Sequence, residues 1–121
     1  MKHLPLSSVR GRIRAYIERH AYKLGTDVLE VGSRMTNPDT WWIVNRDLAR
    51  GQWTGIDMQP GHGVDRVADM HSLPGDWGGR FTGVLCSEVM EHVARPWLAL
   101  PELRRVMQPG AWLVVTTLFA F

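Results

Sequence analysis

The chain has 121 residues, 45% of them hydrophobic and 21% charged, with a formal net charge of +2. That length fits one domain, residues 1–121, and the composition fits a soluble globule and excludes disordered and fibrous classes. No apolar stretch approaches the roughly 18 to 20 residues of a membrane span, and the N-terminus MKHLPLSSVRGRIR lacks the apolar segment of an export signal. Cys86, the single cysteine, has no partner for an internal disulfide, and the sequence offers no structural zinc set. A reducing, cytoplasmic setting without a metal is expected.

Residues 1–25 carry Lys2, Arg10, Arg12, Arg14, Arg19 and Lys23 against Glu18, an excess of five positive charges. Val9, Ile13, Tyr16, Ile17, Ala21 and Leu24 recur at helical spacing, with Ser7 or Ser8 to cap the start and Gly25 to stop the end. The spacing predicts a basic helix over about 8–24. It is either a solvated face or a surface for nucleic acid or acidic lipid.

DVLEV (27–31) reads as a short buried strand. Asn37-Pro38 opens a second helix, with Pro38 at its first position and Gly51 closing it. WTGID (53–57) is the next strand, QPGHG a loop, and VDRVA (64–68) a third strand ending at Asp69. PGDWGGR (74–80) is loop, FTGVLCS (81–87) a fourth strand, and residues 88–93 a helical turn. A helix follows over Pro96–Met107, with Pro101 expected to kink it or move its start. Pro109-Gly110 then turns the chain into a fifth strand, AWLVVTTLFAF, running to residue 121. Trp42, Trp53 and Trp112 read as core or helix–sheet contacts. Trp41 and Trp77 lie in loops on the ligand side, open to stacking or to core packing.

Strands alternating with helices predict an α/β fold with a mostly parallel sheet, whose ligands sit at the carboxyl ends of the strands. Three successive strand ends carry acids: Glu30, Asp57 and Asp69. An acid after the second strand, about 25 residues beyond a glycine loop, is where Rossmann-type sites grip ribose hydroxyls. A pyrophosphate would need several glycines and a free helix N-terminus in the first loop. Glu30, two residues before Gly32, repels phosphate and favours a ligand with an ammonium and a sulfonium. S-adenosylmethionine has both.

The stretches VLEVGS, WTGIDMQPG, VADMHSLP and LCSEVMEHVARPWLALPELRRVMQPGAWLVVTT, spread over residues 27–118, resemble in order and spacing those of class I S-adenosylmethionine-dependent methyltransferases of the type 11 kind. The resemblance implies a Rossmann-like three-layer sandwich with strand order 3-2-1-4-5. It implies S-adenosyl-L-methionine as cofactor and methyl transfer to an unidentified acceptor. It sets Glu30 near the cofactor's amino group, with Gly32 and Ser33 in close backbone approach. Asp57 would receive the ribose hydroxyls, Met58 would pack on the adenine, and Asp69, Met70 and His71 would lie at the adenine edge. Ser87 would flank the cofactor, and Glu88 would face the transfer site.

Arg34 stands where the family has the second glycine of its loop. Its guanidinium meets the cofactor's carboxylate, points to solvent or pairs with an acid. Methyl transfer is in-line attack on an activated methyl, so a base is needed only where the acceptor sheds a proton. Glu88 and His92 are the catalytic candidates. His71 and Glu91 are further bases, with helix capping or packing as the plainer role for His92 and Glu91. His62, between two glycines, reads as a mobile cofactor lid.

The family's sheet has seven strands, and the residues present account for five, lacking the sixth and seventh that lie beside the fifth. An uncovered fifth strand leaves an apolar edge, so either residues 112–121 pair two chains or the sequence belongs to a longer protein. A cofactor-binding but catalytically incomplete module, serving as subunit or sensor, is the alternative to an enzyme. The acceptor cannot be read from the residues present.

Overall fold

The computed structural model describes residues 5–37 and 44–117. Ser8 caps the first helix, α1 (Val9–His20), by accepting the Gly11 N–H at 2.9 Å. A 3₁₀ turn, Ala21–Leu24, extends α1 to Gly25, whose φ of 75° ends it in a conformation that side chains disfavour. Strand β1 (Asp27–Val31) follows, then β2 (Gln52–Asp57), β3 (Arg66–Val67) and β4 (Phe81–Ser87). Helix α2 (Pro96–Val106) leads into β5 (Met107–Thr116).

The sheet has the order β3-β2-β1-β4-β5, with every pair parallel. Alternation along β1 sends Leu29 and Val31 to one face and Val28 to the other. On the first face Ile56, Phe81, Val84 and Cys86 pack against Ala99, Leu103 and Val106 of α2. On the second, Val28, Trp53, Leu85 and Val114 pack against Ile17 of α1 and Leu24. These are the three layers of a Rossmann-like sandwich. Close packing at the amino ends leaves no room for side chains: a Cβ on Gly83 would lie 2.4 Å from the Leu24 carbonyl oxygen.

Several elements differ from the sequence reading. The second helix falls partly on residues 38–43, outside the described residues. Its described remainder is one 3₁₀ turn, Asn45–Leu48, because Asn45 is drawn into side-chain bonds described below. Strand β3 keeps only two residues. Asp65, expected inside it, instead takes the Gly55 N–H on its carboxylate and gives its own N–H to the Gly55 carbonyl.

Helix α2 runs through Pro101, which is exposed; the carbonyl one turn earlier belongs to Trp97, also exposed, so the bond that Pro101 cannot make is lost at the surface and not in the core. Strand β5 begins earlier than expected and bulges at Pro109-Gly110, since Phe81 pairs with Met107 but Gly83 pairs with Trp112. Trp112 is half exposed on this outer strand, with the Lys23 ammonium 4.6 Å from its ring centroid. Trp77 lies before β4, at the opposite end of the sheet from the ligand side. It is buried edge-on against Phe81. Trp41 and Trp42 lie outside the described residues, and so do residues 118–121.

Candidate functional site

The strand order reverses between β1 and β4, and there two cavities open along the carboxyl edge of the sheet. The larger, about 790 Å³, is bounded by α1, the loops after β1 and β2, and the Asn45–Leu48 turn. The smaller, about 340 Å³, lies over the ends of β2 and β3 and against Val89 and Val93. Gly32 and Glu88, just past the ends of β1 and β4, line both.

Both shared residues have left-handed backbones. Gly32 has φ of 70°, and a Cβ there would lie 2.3 Å from a Val89 methyl, so only glycine fits. Glu88 has φ of 57° and is the one non-glycine residue with positive φ among those described. Glutamate has no intrinsic reason to adopt that region, and such strain persists where surrounding structure enforces it. Here the Thr116 carbonyl accepts the Glu88 N–H at 2.8 Å, and the Thr116 hydroxyl meets that of Ser87 at 2.6 Å.

Three carboxylates stand at the rim. Glu30 projects from β1 to the α1 side and lines the larger cavity. Burial pushes its carboxyl above the usual range, opposed by hydrogen bonds from Asn45 and Trp53. Asp57 lines the smaller cavity. One of its oxygens accepts the Arg34 N–H and the other the Gln59 N–H, both at 3.2 Å, so it ties the loops after β1 and β2 together. Asp69 accepts the His71 N–H at 2.9 Å and the ring Nδ1 at 2.7 Å on one oxygen. These bonds hold its carboxyl below the usual range.

The His71 Nε2 in turn accepts the Arg95 N–H at 3.2 Å. Nε2 is therefore the unprotonated nitrogen and Nδ1 carries the proton. Both nitrogens are engaged, and the ring fastens the loop after β3 to the start of α2. The site thus offers acids for a cationic or hydroxylated ligand and a glycine for close approach. Among the described residues it has no cluster of metal-ligating side chains.

The family whose description is "Methyltransferase domain" matches residues 43–115, more than half of the chain. The chain belongs to the methyltransferase domain family. Ubiquinone biosynthesis O-methyltransferases of Nitrosospira multiformis and Chromobacterium violaceum are 27% and 29% identical to it, each over 94% of this chain. The matches span 52% and 53% of those proteins, so the chain spans about half the length of the curated relatives it matches. Among solved structures, the trans-methyltransferase CalH complexed with SAH has a TM-score of 0.55 at 19% identity, covering 88% of this chain and 35% of that one. EvdMO1 has a TM-score of 0.53 at 27% identity, covering 78% and 25%.

In this methyltransferase domain the residues singled out from sequence divide between the two cavities. Glu30, Ser33, Arg34 and Ser87 line the larger; Asp57, Met58, Asp69, Met70, His71 and His92 line the smaller. Met58 is 67% exposed while Met70 is buried. Ser33 is buried, and its hydroxyl and N–H both bond the Ile56 carbonyl, so its side chain serves the strand contact. The Arg34 side chain lies across Gly61. The His92 imidazole is 79% exposed, with Nε2 3.7 Å from Glu91. His62 lines the larger cavity, and its loop is fastened: its carbonyl accepts the Met35 N–H at 2.8 Å.

The methyltransferase domain also uses residues that the sequence reading passed over. Asn45 and Trp53 bond Glu30, and Arg46 pairs with Asp65 at the cavity wall. Arg10 and Arg14 of the basic helix line the larger cavity too, and Arg14 bonds Glu18 and Asn45. The only signal in the sequence was the basic spacing of that helix.

Proposed function

We propose that this domain binds S-adenosylmethionine across the two cavities and transfers its methyl group to an acceptor. The observation that carries the reading is the meeting of the cavities at Gly32 and Glu88, with Glu30 on one side and Asp57 and Asp69 on the other. When bound, S-adenosylmethionine supplies a methyl group on a sulfonium, activated toward nucleophiles.

Glu30 receives the ligand's ammonium, and Gly32 allows the backbone to approach. Asp57, braced by the Arg34 and Gln59 N–H groups, accepts from the ribose hydroxyls. Met58, Asp69, Met70 and His71 frame the adenine. Arg34, on the wall that holds Glu30, answers the ligand's carboxylate. Glu88 stands at the junction and takes the proton of an acceptor that must lose one. His92 opens to solvent at the smaller cavity and assists there.

A reducing, cytoplasmic setting belongs to the same proposal. Its support is that the one cysteine, Cys86, is a buried free thiol. The outer edge of β5, which has no strand partner among the described residues, supports self-association through residues 112–121. A monomer in sedimentation equilibrium at high concentration would refute it.

Calorimetry with S-adenosylmethionine tests the function. Wild type is expected to bind in the micromolar range, about −8 kcal/mol, and Asp57→Ala to lose that binding. No heat from folded wild type would overturn the reading.

A further inference from the structure

Glu30, a partly buried carboxylate of the larger cavity, has both oxygens occupied by neutral donors. Trp53 Nε1 donates to Oε1 at 3.1 Å and Asn45 Nδ2 donates to Oε2 at 2.9 Å. Arg14 of α1 donates to the Asn45 Oδ1 at 2.9 Å. A guanidinium only donates and a carboxylate only accepts, so Asn45 has one orientation that satisfies both ends. We infer that Asn45 and Trp53 are positioning residues for Glu30, with Arg14 fixing Asn45, so that one hydrogen-bonded chain joins the N-terminal helix to the acid that receives the cofactor's ammonium. The inference rests on the cofactor reading above.

The chemistry of the donors carries the argument. An arginine bonded directly to Glu30 would neutralise it and remove its attraction for a cation. An amide and an indole N–H hold the carboxylate in place and favour its ionised form, yet leave its charge for the ligand. Each oxygen keeps a lone pair for a further donor. Burial alone drives Glu30 toward the protonated acid, which would have no charge to offer; the bonds from Asn45 and Trp53 and the charges of Arg46 and Arg14 oppose that drift.

Arg10, Arg34, Asp65, His62 and Glu88 face the same cavity from α1, from the loops after β1 and β2, and from the end of β4. Sheet register explains how Trp53 reaches. It pairs with Val28, two residues before Glu30 on the same face, so its ring lies along the sheet toward the carboxylate.

The test is S-adenosylmethionine affinity of Asn45→Ala and Trp53→Phe by calorimetry, followed from neutral pH into the acid range in which Glu30 takes up its proton. Circular dichroism checks the fold; Asn45, on a partly exposed turn, carries the test if Trp53→Phe does not fold. Each variant is expected to bind about tenfold more weakly at neutral pH. Its loss of affinity on acidification is expected to begin at higher pH than in wild type, because Glu30 protonates more readily. In a Glu30→Gln background, Asn45→Ala is expected to cause no further loss.

Unchanged affinity, or a pH-independent loss that adds to that of Glu30→Gln, would overturn the inference while the cofactor reading stands. Folded wild type that binds no S-adenosylmethionine would overturn both.

Discussion

On the face covered by α2, β1 contributes Leu29 and Val31 to a cluster with Ile56, Phe81, Val84 and Leu103, and no charged residue belongs to it. On the α1 face the same strand contributes Val28 and Glu30, and the apolar cluster there is smaller: Ile17, Leu24, Val28, Trp53, Leu85 and Val114. One strand thus alternates between a dry core and a polar cavity. A carboxylate out of water is tolerable only where partners stand ready, and the α1 face supplies Asn45, Trp53 and Arg14. The lesson is that along β1 apolar packing and the acid of the larger cavity alternate at a spacing of one residue, while the smaller cavity opens at the carboxyl end of the α2-face cluster, beside Val31, Ile56 and Met70.

The largest expected effect tests the dry face. Phe81 is fully buried, its ring centroid 5.4 Å from that of Trp77. Phe81→Ala is expected to lower unfolding free energy by about 3–5 kcal/mol, measured by urea denaturation. Ligand affinity of the folded fraction should stay near wild type. A parallel loss of affinity would show that packing at the amino end of β4 also shapes the cavities at the carboxyl edge.

A smaller effect concerns Glu88, where the two cavities meet. Its φ of 57° is unfavourable for any side chain. Glu88→Gly is therefore expected to leave stability unchanged or raise it by up to about 1 kcal/mol. Methyl transfer to a proton-losing acceptor should fall. A variant that unfolds more easily would mark Glu88 as structural.

The smallest effect is a slope. Burial raises the Glu30 pKa above 4.5 in the fold, so the folded state binds its proton more tightly than the unfolded chain does. That contribution to stability is fully present below the unfolded pKa and is lost as pH rises through the folded pKa. Glu30→Gln should remove this part of the pH dependence, read as the change in urea midpoint from acidic to neutral pH. An unaltered slope would mean that Glu30 keeps its ordinary pKa.

The strands and the acids at their ends were legible because they depend on local pattern: apolar runs, a glycine, then a polar residue; the strand order came with the family resemblance. The partners of Glu30 were not. Trp53 reaches it through the pairing of Val28 with Trp53, and register is invisible in a single chain. Asn45 lies in a stretch that reads as helix, and its bonds to Glu30 and Arg14 decide its place instead. β3 shrank because Asp65 chose the Gly55 backbone as partner. Trp112 read as a core or helix–sheet contact; β5 is the outer strand, so it is half exposed and meets Lys23 of the turn that extends α1 across its ring. In each case a long-range contact overrode a local preference.

A crystal structure with S-adenosylhomocysteine tests the central claim most directly, because it locates both ends of the ligand. The account predicts the amino group at Glu30 beside Gly32, the ribose at Asp57, and the adenine between Met58 and Asp69. Adenine in the larger cavity, or a ligand that leaves Glu30 and Asp57 untouched, would contradict it.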